Sequence, residues 1–101
     1  MAHVLIVHES ESARSELARE LLAEGFTVAE AETASVAVRD LWQGNFVAAL
    51  IGDKVPGING VSLEEHLHNL APEVVTLLVG KDPPAKITRK LADILDGAAA
   101  A

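Results

Sequence analysis

Residues 46–60 read FVAALIGDKVPGING and combine an apolar strand-like run with a turn rich in glycine and proline. The run ends at Ile51, and an amphipathic helical pattern begins at Leu63. A strand, a turn and a helix in this order are typical of α/β proteins, whose sites lie beyond the carboxyl ends of the strands. At that end, Gly52 offers no side chain, and the nearest carboxylate belongs to Asp53.

The same alternation runs through the rest of the chain. Short apolar runs predict strands at residues 3–8, 26–31, 46–51 and 74–79, and a helical stripe of apolar residues follows each run. Thr33 is a predicted N-cap, Gly25 and Gly97 are predicted helix ends, and Leu22 and Ile94 are predicted to point inward. This order of elements predicts a parallel sheet with helices on both faces.

Length and composition narrow the classes of function. A chain of 101 residues, half of them hydrophobic, predicts one globular domain over residues 1–97, followed by an Ala-rich tail at 98–101. The absence of cysteine excludes disulfides and thiolate chemistry. A net charge of −7 disfavours nucleic acids and anionic membrane surfaces as partners. The apolar runs are too short to span a membrane, and we expect a cytoplasmic protein without a cofactor.

Two segments carry a resemblance to a known family. VLIVHESESAR (4–14) resembles the first strand of the receiver domains of bacterial two-component response regulators, which two adjacent acidic residues normally follow. FVAALIGDKVPGING resembles the third strand and loop of that family, in which a proline and a glycine follow the phosphate-accepting aspartate at fixed spacings. Counting back four residues from Pro56 and eight from Gly60 gives Gly52 both times. The resemblance implies a flavodoxin-like fold.

The residues that would carry the chemistry of that family differ here. Glycine offers no nucleophile at position 52, and the acidic pair reads His8-Glu9, which makes a weak site for magnesium. The hydroxyl residue of the family at the end of strand four falls on Val79 or Gly80. We therefore expect neither phosphoryl transfer nor a metal site, and no enzymatic activity.

Two alternatives remain open. Asp53 could accept a phosphoryl group if the register shifted by one residue, although both spacings would then be wrong. The crevice around His8, Glu9 and Asp53 could instead bind a small ligand. Lys81, in a Lys-Asp-Pro segment, resembles the pocket lysine of the family, and a surface loop lysine is an equally good interpretation.

The chain is also shorter than the family pattern after VVTLLV. The segment GKDPPAKITRKLADIL passes directly to a match for the last helix, so the fourth helix and the fifth strand are absent and the predicted strand order is 2-1-3-4. In the family this region responds to phosphorylation. The sequence therefore predicts a degenerate receiver, a phosphorylation-independent interaction module in bacterial signalling with an unidentified protein partner.

The missing strand leaves an edge open. In the predicted order, strand four lies at the side of the sheet without a charge, proline or glycine to discourage pairing. Its residues are Val74, Val75, Thr76, Leu77, Leu78 and Val79. We predict a two-fold homodimer through this strand, through the last helix, or by exchange of that helix, since a Pro-Pro hinge disfavours folding back.

Overall fold

The structure, a computed structural model, describes residues 3–57 and 61–100. Four strands alternate with four helices along the chain. The elements are β1 His3–Val7, α1 Glu11–Ala23, β2 Thr27–Ala31, α2 Ala34–Gln43, β3 Ala48–Gly52, α3 Leu63–Leu70, β4 Val75–Val79 and α4 Pro84–Ala100. The predicted elements are all present, and their ends differ by one or two residues in most cases.

The strands form one parallel sheet in the order β2-β1-β3-β4, as predicted. β1 and β3 lie in the middle, and Val7 pairs with Ile51 at their carboxyl ends. Within the described residues there is no fifth strand and no further helix between β4 and α4. The carboxyl ends of all four strands therefore meet at one edge of the sheet, where the site is expected.

A separate apolar core covers each face of the sheet, because successive residues of a strand point to opposite faces. The strand residues on one face pack with α2 and α3, and those on the other face pack with α1 and α4. Val4, Leu5, Ile6 and Val7 are fully buried, which agrees with the prediction of a strand covered on both sides.

Local signals place the helix ends. The side chains of Ser10, Thr33 and Ser62 accept hydrogen bonds from backbone N–H groups in the first turns of α1, α2 and α3. Gly25 adopts a φ of 93°, and Phe26 N–H donates to the carbonyl of Leu21, which ends α1 as predicted.

Three details of the sequence prediction are wrong. Leu22 is 58% exposed and Ile94 is 36% exposed, because each lies at the rim of the buried stripe of its helix. Gly97 does not end α4, which continues to Ala100. A glycine costs a helix only about 1 kcal/mol relative to alanine, and the alanines that follow are the best helix formers. Gly60, used to align the loop, lies outside the described residues.

The last helix folds back onto its own sheet. Ile87 and Leu91 of α4 are buried in the same core as Leu17 and Leu21 of α1. The Pro-Pro hinge therefore permits this packing, contrary to the expectation that it disfavours folding back. None of the described helices is long and apolar enough to cross a membrane.

Candidate functional site

The candidate site lies where β1 and β3 end side by side. Because Val7 pairs with Ile51, the next residues of the two strands, His8 and Gly52, are brought together at the carboxyl edge. Gly52 is buried, and its backbone still belongs to β3. The family resemblance places a nucleophilic carboxylate at this position.

The imidazole of His8 fills the space in front of Gly52. A Cβ atom built on Gly52 would lie 2.8 Å from Cδ2 of His8 and 3.1 Å from its Cγ. A Cβ atom does not approach another heavy atom this closely without displacing it. The two residues therefore fit each other, and a side chain at position 52 would require the ring to move.

A hydrogen bond holds the His8 ring in this position. The N–H of Ser10 donates to Nδ1 of His8 at 3.0 Å, so this nitrogen acts as an acceptor and carries no proton. Oε2 of Glu9 lies 3.8 Å from the same nitrogen, a contact that would require a proton there to become an ion pair. The shorter contact from Ser10 decides the tautomer. His8 is then a neutral ring, 15% exposed, packed over a glycine.

Arg14 fixes the end of β1, a role that the sequence prediction missed. Its Nη1 donates to the carbonyl oxygen of His8 at 2.6 Å, and its Nε lies 3.5 Å from Oε1 of Glu30. The Arg14 side chain is only 13% exposed. Arg14 lies one turn beyond the N-cap Ser10. A long side chain at this place in α1 can reach back to the strand that precedes the helix, and the role of Arg14 could have been predicted from this position.

Glu9, whose Oε2 lies 3.8 Å from the His8 ring, also borders a groove that His8 does not line. This groove is open, has a volume of about 350 Å³ and lies on the α2 side of the edge. The other lining residues are Glu32, Thr33, Ala34, Ser35, Pro56 and Gly57. Of the three residues proposed for a ligand crevice, Glu9 lines this groove and His8 and Asp53 do not.

Asp53 lies toward β4. Its N–H donates to the carbonyl oxygen of Val79 at 3.2 Å, and its Oδ2 lies 4.0 Å from the position that a Cβ atom would take on Gly80. The Asp53 side chain is exposed. It therefore stands beside the end of β4, whereas the space in front of Gly52 opens toward His8 on β1.

The remaining site residues add no second charged cluster. Val79 is buried and Gly80 follows it, so no hydroxyl group stands at the end of β4. Lys81 is exposed, and it forms no ion pair within the part of the chain that the structure describes. Among residues 3–57 and 61–100, no group of three or more acidic or histidine side chains is arranged to hold a metal ion.

No protein-family model matches this chain, and no curated protein matches it. Solved structures do match. A CheY-like response regulator receiver domain protein from Methanospirillum hungatei JF-1 superposes with a TM-score of 0.86 at 22% sequence identity, over 96% of this chain and 95% of that chain.

A second protein matches in two structures. The response regulator TrrA from Thermotoga maritima, in complex with Mg(2+)-BeF, superposes with a TM-score of 0.72 at 23% identity, over 81% of this chain and 71% of that chain. The complex of the histidine kinase ThkA with TrrA also matches, with a TM-score of 0.70 at 23% identity, over 80% of this chain and 70% of that chain. The chain therefore has the fold of response regulator receiver domains, with four strands in the residues that the structure describes.

Proposed function

We propose that this chain is a degenerate receiver, which binds protein partners in signal transduction without being phosphorylated and is not an enzyme. The observation that carries the proposal is the imidazole of His8 in front of Gly52, with 2.8 Å between Cδ2 and the position of a Cβ atom. The place of the acceptor carboxylate is taken by a neutral ring.

The chemistry of phosphoryl transfer supports this proposal. An acyl phosphate forms only on a carboxylate, and the charge on the phosphoryl oxygens needs a cation or several donors. Hard cations such as Mg²⁺ bind through several oxygen ligands. TrrA carries Mg(2+)-BeF in its solved structure. In this chain, His8 replaces one oxygen ligand, Gly52 supplies none, and Glu9 lines a separate groove.

Incubation with a small phosphodonor and Mg²⁺, followed by measurement of the intact mass, tests this proposal. We expect no gain of mass under conditions in which a receiver with an aspartate acceptor gains one phosphoryl group. Asp53→Asn is the matched variant, because Asp53 is the exposed carboxylate nearest to Gly52 along the chain. A phosphoryl group that appears on the natural chain and is lost in Asp53→Asn would overturn the proposal.

The partners that we propose are a second copy of the chain and a separate signalling protein. TrrA is found with a histidine kinase, which supports a protein rather than a small molecule as the second partner. An uncharged edge strand with an exposed Leu78 supports the first. Sedimentation equilibrium at micromolar concentration tests homodimerisation, and a monomer throughout that range would exclude it.

A further inference from the structure

The outer edge of β4 carries backbone groups that no other strand of the described sheet can pair. Val75 N–H donates to the carbonyl of Val47 at 3.0 Å, and the carbonyl of Val79 accepts from Asp53 at 3.2 Å. Backbone direction alternates along a strand, so Val75, Leu77 and Val79 face β3. The N–H and C=O groups of Thr76 and Leu78 consequently face outward, at the side of the sheet where order β2-β1-β3-β4 ends.

We propose that two copies of this chain pair through β4 as antiparallel strands, with a two-fold axis at Leu77. This inference rests on the proposed homodimer and specifies its interface. A two-fold axis perpendicular to the sheet makes the two edge strands antiparallel. When Leu77 lies opposite Leu77 of the second copy, Thr76 of each copy lies opposite Leu78 of the other. These are hydrogen-bonded pairs, so all four outward groups of each strand gain partners.

Charge complementarity selects this register. The nearest charged residues on either side of β4 are Glu73 and Lys81, both exposed, and each lies four residues along the chain from Leu77. The antiparallel pairing centred on Leu77 therefore sets Glu73 opposite Lys81 of the second copy, twice. A shift of the axis by one residue along the strand removes both oppositely charged pairs. Residues 74–79 between them carry no charge, so the strand itself introduces no repulsion.

The exposed apolar surface at the edge fits the same arrangement. Leu78 is 56% exposed on the α3 side of the sheet, where no further helix covers the end of β4 in the described residues. Side chains of directly opposite residues lie on the same face about 4.5–5.5 Å apart. Pairing would therefore cover Leu78 with Thr76 of the second copy.

The last helix leaves room for this pairing. α4 packs on the opposite face, in the core that contains Val79 and Leu91, with Val75 and Leu77 packed against it. The helix thus covers a face of β4 rather than its outer edge. Exchange of α4 between chains is not needed to form the dimer.

Cysteine cross-linking tests the register, because the natural chain has no cysteine. Two cysteines at position 77 would form a non-hydrogen-bonded pair with Cα atoms about 4.5 Å apart, which is within disulfide reach. We expect Leu77→Cys to form a disulfide-linked dimer on mild oxidation. Val75→Cys is the matched control on the same face, because its copies would lie roughly 13 Å apart along the strands. Cross-linking of Val75→Cys but not of Leu77→Cys would overturn the register.

Charge exchange provides a test on exposed residues, in case Leu77→Cys does not fold. Glu73→Lys and Lys81→Glu should each raise the dimer dissociation constant roughly five- to tenfold, by replacing two attractive pairs with two repulsive ones. An equal mixture of the two variants, and the double variant, should both recover the original value. A dimer unaffected by these changes and by Leu78→Lys would overturn the interface while leaving the proposed homodimer intact. A monomer at all concentrations would overturn both.

Discussion

At the level of single residues, the site is defined by one close pair, His8 over Gly52. Sequence spacing places Gly52 where the receiver family has its acceptor, and the resemblance aligns His8 with one acid of the family's acidic pair. The contact between the two residues could not be predicted, because sequence spacing gives the position of Gly52 but not the direction in which the His8 ring points. That direction depends on the Ser10 N–H that binds Nδ1.

We predict that Gly52→Ala destabilises the natural protein by about 1–3 kcal/mol, since the new Cβ atom forces the His8 ring out of its position. In a His8→Ala background the same change should be neutral or slightly stabilising, because alanine restricts the unfolded chain. Chemical denaturation of the four proteins gives the coupling energy. Gly80→Ala is the control, since a Cβ atom there would meet only Asp53 Oδ2 at 4.0 Å. Equal effects of Gly52→Ala in both backgrounds would contradict the contact.

A second prediction concerns the metal pocket that the family resemblance implies at this edge. Gly52→Asp alone should not produce an acceptor, because His8 occupies the space and β4 ends without a hydroxyl. His8→Asp with Gly52→Asp should bind Mg²⁺ measurably by calorimetry, and should be less stable than the natural chain without metal, since like charges are brought together. Equal Mg²⁺ affinity of the natural chain and the double variant would show that the pocket lies elsewhere.

At the level of helices and strands, the sequence was a reliable guide to order and a poorer guide to exposure. Four apolar runs separated by helical stripes predicted the four strands, and the absence of a fifth run predicted the open edge. The burial of Leu22 was mispredicted because this residue adjoins the buried Leu21 on α1. The sequence pattern does not show where the buried stripe of a helix ends. The packing of α4 was misjudged because the geometry of a Pro-Pro turn is not determined by composition.

The position of α4 predicts that replacing Leu91 and Ile94, which lie one turn apart, by alanine lowers the stability of the protein by different amounts. Leu91 of α4 is fully buried against α1 and the sheet. Leu91→Ala should therefore lower the free energy of unfolding by about 2–5 kcal/mol. Ile94, which is exposed at the rim, serves as the control, and its replacement by alanine should cost about 1 kcal/mol or less. Thermal or urea unfolding measures both. Similar small losses would mean that α4 is not packed on its own chain.

At the level of the whole molecule, an apolar core covers each face of the sheet, whereas the carboxyl edge of the described residues holds no cluster of acidic side chains that could hold a metal ion. The residues of the predicted pocket lie along that edge in separate groups: His8 packs over Gly52 with Glu9 beside its ring, whereas Asp53 is hydrogen-bonded to the end of β4. Glu9 lines its own groove. The sequence predicted a glycine at the acceptor position of the family pattern, but the separation of the remaining acids depends on how each strand end turns, which follows from the fold.

Hydrogen exchange should reveal both the monomer and the dimer in one experiment. In the monomer, the Val75 and Leu77 amides face β3 and should exchange slowly, whereas the Thr76 and Leu78 amides face outward and should exchange as fast as exposed loops. On dimerisation these two outward amides alone gain partners. If nine-tenths of the chains are dimeric, exchange of these two amides through the free monomer slows roughly tenfold, whereas the Val75 amide is already protected in the monomer. Concentration-dependent protection at another surface, with Thr76 and Leu78 remaining fast, would place the contact between copies away from β4.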